Sequence, residues 1–149
     1  MIATGGIADI SVFFGDDPIE VTKAYHKIVG RPVLTPMWAL GWHQSKWGYK
    51  STQELREVIQ GYSDNNLPLD TIWSDIDYME DYKDFTYDPV NYGDLPQFVE
   101  EIHENKLQYI PIIDAGIAQR KGQNYSAYDT GVEKDVFIKA YQGGPDLTG

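Results

Sequence analysis

Three short apolar runs, Met37–Trp42, Leu69–Ser74 and Gln108–Ile113, are separated by segments that carry helix signals. After the first run, Ser51-Thr52-Gln53-Glu54 has the form of a capping box. Leu55, Val58, Ile59 and Tyr62 then fall at the spacing of a helix packed on one side. After the second run, Asp94 is placed to cap a helix reaching about Asn105, with Gln97 three residues on and Phe98, Val99 and Ile102 facing inward. Strand, loop, helix, strand, loop, helix, strand predicts an α/β chain of parallel strands joined by right-handed crossovers. Pro111 inside the third run cannot donate to a ladder, so a bulge or a barrel rim is expected there.

The flanks read differently. Ile7 to Phe14 suggests a strand, broken by Gly15-Asp16-Asp17-Pro18. Asp17 is a good N-cap and Pro18 suits the first helical turn. Val21, Ala24, Tyr25, Ile28 and Val29 share one helical face, and Gly30-Arg31-Pro32 ends the helix. Beyond Ala115 the chain is polar and Gly-rich, with Val136 to Ala140 as one more expected strand.

The loops that follow the strands are the long ones: 43–50, 75–93 and from 114 onward. Sites in parallel α/β folds are built at strand C-termini, so this is where chemistry is sought. A closed eightfold barrel needs about 250 residues, and a flavodoxin-like open sheet needs about five strands. The 149 residues offer three βα units, so they read as a segment of something longer.

Hydrophobic residues make up 42% of the chain, enough for a packed core. The net charge of −11 argues against a nucleic-acid surface and an anionic membrane face. With no cysteine there is neither a disulfide framework nor Cys-ligated zinc. No apolar run reaches the roughly 18 residues of a membrane span, and the first residues lack the basic start and apolar middle of a signal peptide. Asn124-Tyr125-Ser126 matches an N-glycosylation acceptor, a weak pointer to secretion.

The stretch WSDIDYMEDYKDFTYDP, Trp73 to Pro89, interleaves carboxylates with rings. In a regular strand Leu69, Thr71, Trp73 and Asp75 share a face, which puts Asp75 at the strand end. A carboxylate there accepts hydrogen bonds from vicinal hydroxyls while neighbouring rings stack on the C–H face of a sugar. The competing reading makes Asp75 a turn cap and Trp73 a core residue. In WALGWHQSKWGY, Trp47 lies in the loop and is the better stacking candidate, with Trp38 and Trp42 left for packing. His43 has no Ser or Cys nucleophile pattern beside it and reads as a structural, hydrogen-bonded histidine. Asp75-Ile76-Asp77 also has the DxD form of metal-dependent glycosyltransferases, but no basic cluster for a diphosphate follows. Asp81, Asp84 and Asp88 read as solvated or capping groups, with Lys83 paired to one of them.

Several of these motifs, in this order, resemble glycoside hydrolase family 31, the maltase and lysosomal α-glucosidase branch especially. GGIADISVFFGDDPIEV is similar to the close of that family's N-terminal β-sandwich domain and the helix leaving it. GRPVLTPMWALGWHQSKWGYKS is similar to the entry to its barrel, LPLDTIWSDIDYMEDYKDFTYDP to its second-strand motif, and IPIIDAGIA to its third. EKDVFIKAYQGGPDLTG is similar to a lead-in to further barrel. Gly116, near where many relatives have a Pro-Ala pair, is a mild departure. The resemblance implies a partial (β/α)8 TIM barrel over residues 31–149, preceded over 1–30 by the end of a β-sandwich domain and a connecting helix.

It further implies a retaining hydrolase of terminal α-glucosidic bonds in maltose-like oligosaccharides. Such enzymes hold a nucleophile and an acid/base carboxylate roughly 5 Å apart. In the family both lie on later strands, and the Trp-x-Asp-Met-Asn-Glu type motif of the nucleophile is not in this sequence, so no residue here is expected to be catalytic. By resemblance Asp75 binds hydroxyls of the terminal sugar, Trp47 lines the same subsite, and Ile76 and Ile112 form apolar walls. No metal or other cofactor is implied. The expected partners are an α-glucoside oligosaccharide and the rest of the barrel, and the expected location is secreted or lysosomal/vacuolar. Alone, with about three-eighths of a barrel, the chain is expected to be inactive. The alternatives are a non-catalytic carbohydrate-binding or structural remnant and a DxD glycosyltransferase.

Overall fold

The computed structural model describes residues 5–147 and divides into two compact units between Thr35 and Pro36. In the first unit, α1 (Pro18–Val29) starts where expected: the Asp17 carboxylate accepts from the Glu20 amide at 2.9 Å. Gly30, at φ 85°, ends it in a backbone region that glycine adopts without a Cβ penalty. Its predicted face is not covered, and Ile28 stays 70% exposed. Phe13 meets the Tyr25 ring edge-on at 5.5 Å. The strand expected over residues 7–14 does not form. These residues carry no ladder, and Ile10 and Phe14 are exposed. An apolar run becomes a strand only when a second strand satisfies its backbone.

The second unit is α/β. Its elements are β1 (His43–Gln44), α2 (Thr52–Asp64), β2 (Thr71–Ser74), α3 (Leu95–Glu104), β3 (Gln108–Pro111) and α4 (Ser126–Glu133). The strands form a parallel sheet in the order β1-β2-β3, with His43 opposite Thr71 and Ser74 opposite Pro111. This is the parallel α/β pattern expected from the strand and helix alternation, and it is consistent with the partial (β/α)8 barrel that the resemblance implies.

The core joins α2, β2 and α3. Leu55, Ile72 and Phe98 are fully buried, with Ile102, Tyr49, Tyr78, Met79 and Tyr92 around them. Burying side chains of this size contributes about 1.5–3 kcal/mol each. Arg56 fastens the two helices together. It pairs with Asp94 at 2.7 Å and Glu101 at 2.8 Å and lies over the Phe98 ring. The Ser51 hydroxyl accepts from the Glu54 amide, as the capping box requires, while Glu54 reaches back one residue further, to the Lys50 amide at 2.6 Å.

Several local expectations are corrected. Met37–Leu40, expected as strand, is a 3-10 turn after Pro36, and the strand begins later, at His43. Pairing decides this. The Asp70 carboxylate takes the Trp42 amide at 2.8 Å, and the Trp42 carbonyl accepts from the Asp70 and Thr71 amides. Gly41 permits that approach, because a Cβ there would collide with the Asp70 side chain. Asp94 does not cap α3 with its side chain. Its carboxylate is taken by the Thr52 hydroxyl and Arg56, and Gln97 donates to Glu101 instead of closing a capping box. Residues 136–140 form no strand, only an isolated bridge from Lys139 to Asp146, and α4 arises in a stretch without clear sequence signals. Pro111 needs no bulge. Gln108 and Ile112 donate toward β2, so the residue between them at odd phase owes that neighbour no amide.

Candidate functional site at the strand ends

The three strands end side by side, and their exit loops carry the residues singled out above. Asp75 follows the last residue of β2 and is half-buried. Its Oδ1 accepts from the Ile76 amide at 2.7 Å and caps a 3-10 turn, Ile76–Tyr78. Oδ2 takes no protein donor among the described residues. Asp75 is therefore a turn cap, as the competing reading has it, with its second carboxylate oxygen left over.

Ile112 directly follows β3, whose last residue, Pro111, pairs with Ser74. Its amide donates to the Ser74 carbonyl at 3.0 Å, and its carbonyl accepts from the Tyr78 hydroxyl at 2.9 Å. Ile76 and Ile112 both pack, half-buried, against the main core. Asp75, Ile76 and Ile112 thus sit together at the β2 and β3 exits.

Trp47 belongs to the β1 exit loop and is 72% exposed. The geometry ties that loop to the β2 exit through Asp77. The Gly48 amide donates to Asp77 Oδ2 at 2.8 Å, and Lys50 Nζ donates to Oδ1 at 2.6 Å. The same carboxylate raises the Lys50 pKa, chiefly through that hydrogen bond. Both Asp77 oxygens take donors from the protein. Among the described residues no group of three or more His, Asp or Glu is arranged to hold a metal ion.

His43 has the structural role expected of it. Nδ1 accepts from the Trp73 indole at 3.0 Å, which leaves Nε2 to donate to the Trp38 carbonyl at 3.0 Å. Trp42, expected as packing, is largely exposed, with its indole donating to Tyr62.

Most acids of the 73–89 stretch organise the loop itself. Asp84 is buried, not solvated, and accepts from the Asp114 amide at 2.8 Å, holding this loop to the β3 exit. Tyr125, at the start of α4, donates to the Asp84 carbonyl and is itself buried. Lys83 pairs with Glu80, not with an aspartate. Asp88 caps the turn at Val90 and Asn91, and its pKa is lowered first by the Asn91 side-chain hydrogen bond. Asp81, Tyr82 and Phe85 take positive φ, and the Tyr82 and Phe85 rings are exposed.

In the sequence Asp77 stands out only as a possible metal ligand; its hold on the Trp47 loop becomes visible only in the fold. The one available signal was glycine next to that tryptophan, and it does not identify a partner 29 residues away. A cleft of about 320 Å³ is lined by Lys50, Asp77, Met79, Asp81, Tyr82, Asp88 and Asn91. A second, of about 420 Å³, lies among Ala115–Gln119, Tyr128 and Phe137–Ile138. Neither is lined by Asp75 or Trp47. Asn124 is exposed, at φ 54°.

Comparison with known proteins agrees with this architecture. The chain is 41% identical over 148 residues to Glucoamylase 1 of Schwanniomyces occidentalis, covering 95% of this chain and 15% of that protein. It is 38% identical over 144 residues to the lysosomal alpha-glucosidase of Mus musculus, covering 96% of this chain and 15% of the relative. The crystal structure of a DNJ-bound glucosidase II alpha subunit superposes with a TM-score of 0.82 at 28% identity, over 89% of this chain and 14% of that one. The chain therefore spans about a seventh of the length of these relatives. Residues 32–149 match the glycosyl hydrolases family 31 TIM-barrel domain, and the chain belongs to that family.

Proposed function

We propose that this chain supplies part of the sugar-binding subsite of a retaining α-glucosidase acting on terminal α-linked glucose in maltose-like oligosaccharides. The observation that carries the reading is Asp75, half-buried at the C-terminal end of a parallel strand with one carboxylate oxygen that takes no donor among the described residues. In this reading Asp75 accepts hydroxyls of the terminal glucose, Trp47 stacks on its apolar face, and Ile76 and Ile112 form the walls. Residues 31–149 are the first part of the catalytic barrel, and 1–30 close a preceding β-sandwich domain. The outer edges of β1 and β3, unpaired among the described residues, receive further strands of the same barrel. The nucleophile and the acid/base come from those later strands.

The test is Asp75→Asn in the full-length protein with maltose as substrate. Two hydroxyl-to-carboxylate hydrogen bonds weakened together lower kcat/KM by about a hundredfold or more. Unaltered kinetics would sink the assignment. Glucose release that survives EDTA separates this reading from a metal-dependent transferase. Maltose binding without glucose release would make the parent a carbohydrate-binding protein instead.

The protein reaches a secretory, lysosomal or vacuolar compartment in this reading, and the lysosomal relative supports it. No helix among the described residues is long and apolar enough to cross a membrane. The exposed Asn124 is its glycosylation site, tested by a mass loss on endoglycosidase treatment that Asn124→Gln abolishes.

A further inference from the structure

Asp77 is held in a way that turn capping does not explain. Its side chain is 3% exposed, and its two oxygens take donors from a loop 27 and 29 residues earlier in the chain. Removing a carboxylate from water costs free energy that a surface position would avoid, so its place is fixed by what it holds. What it holds is the residue after Trp47. Gly48 has φ 104°, a conformation that other residues rarely adopt, and its amide points to Asp77. The next residue is pinned as well: the Tyr49 carbonyl accepts from the buried Tyr92 hydroxyl at 2.7 Å, and the Tyr49 hydroxyl accepts from Gln44 at 2.8 Å. Asp77 itself lies in the 3-10 turn that Asp75 caps.

We infer that Asp77 is a positioning residue that sets Trp47 against Asp75 and so fixes the width of the glucose subsite. The inference rests on the reading of Asp75 and Trp47 as sugar-contacting residues, and it adds the device that keeps an exposed tryptophan in register with a carboxylate on another strand's exit. Asp77 acts through the donors it holds on the Trp47 loop, the Gly48 amide and the Lys50 ammonium.

The experiment uses the full-length protein with maltose and two readouts, steady-state kinetics and amide hydrogen exchange over residues 45–50. Asp77→Ala raises KM about tenfold and changes kcat less than about threefold, since small misplacement of a binding group is costly. Exchange over 45–50 rises with it. Asp77→Asn, which keeps an oxygen for the Gly48 amide, recovers most of both. In a Trp47→Ala background, Asp77→Ala has no further effect on KM, because the two act as one unit. A general structural defect would still add its loss there. Asp77→Ser takes the place of Asp77→Ala if the latter does not fold. Unchanged exchange in Asp77→Ala overturns the tether. Raised exchange with unchanged KM, or full additivity with Trp47→Ala, overturns the positioning role. A wild-type protein that releases no glucose would refute the proposed function alone, and the exchange data would still decide the tether.

Discussion

Two helices of this chain, α1 and α3, invite comparison. α1 has a side-chain N-cap in Asp17, an acid in its first turn, bases in its last, and a glycine stop, yet none of its residues is buried. α3 has no side-chain cap, because Asp94 is committed to Thr52 and Arg56, yet it buries Leu95, Phe98 and Ile102. The better-signalled helix is the less packed one. Local signals decide whether a segment starts and stops as a helix, and burial of one face decides how much that helix contributes to the fold.

The comparison can be broken most directly by truncating one ring on each helix. Phe98→Ala should cost about 3–5 kcal/mol. Tyr25→Ala, at a half-exposed position on α1, should stay within about 0.5 kcal/mol. Amide exchange of α2 and α3 in the full-length protein measures the first, and exchange of α1 the second. Equal losses would mean that the α1 face is packed after all.

Alkaline pH gives the next largest effect. Burial pushes the Tyr92 phenol up to about 12, against about 10 for a free tyrosine. A raised phenol pKa contributes stability that is complete below about pH 10 and is lost as pH rises through about 12, of order 2–3 kcal/mol. Tyr92→Phe should weaken this dependence in the exchange of α2 and α3, leaving the part owed to the Tyr109 and Tyr78 phenols, which burial also pushes up, and should not change that of α1.

The caps sharpen the contrast further. Ser51→Ala should cost about 1 kcal/mol and register throughout α2 and the sheet, because α2 is packed. Asp17→Ala should cost about as much but fray α1 alone. A wider effect of Asp17→Ala would again argue that α1 is coupled to a core.

The smallest effect comes from Asp94. The Thr52 hydroxyl and then Arg56 hold its carboxyl below the usual carboxylate range. A depressed carboxyl pKa contributes stability above its unfolded value, about pH 4, and loses it as pH falls through the folded value. The stability difference between wild type and Asp94→Ala should close in acid. A difference that persists there would assign Asp94 a role beyond charge.

Much of the second unit was legible because its signals are local or periodic. The Ser51 cap, the Leu55–Tyr62 stripe and the inward face at Phe98 each depend on residues within a turn or two. The strand at Leu69–Ser74 was legible as a run of apolar residues, though only Thr71–Ser74 join the ladder. Met37–Trp42 was misread because a short apolar run fits a 3-10 turn as well as a strand, and only the Asp70 contact with Trp42 separates them. At the site, the position of Asp75 at a strand end followed from counting residues, whereas the two functions of its neighbours did not. Asp77 and Asp84 look alike in the sequence, two acids among aromatics. One holds the Gly48 amide and the other the Asp114 amide.

The sequence by itself determined that α1, α2 and α3 are helices, where they begin, and that three apolar runs lead into long acidic and aromatic loops. Those features are encoded in backbone preferences and side-chain periodicity within a few residues. Tertiary structure alone decided which runs become strands and which carboxylates hold loops. Each of those outcomes is a hydrogen bond between residues about thirty positions apart, as between Asp70 and Trp42 or Asp77 and Gly48, and such a pairing exists only once the sheet has formed.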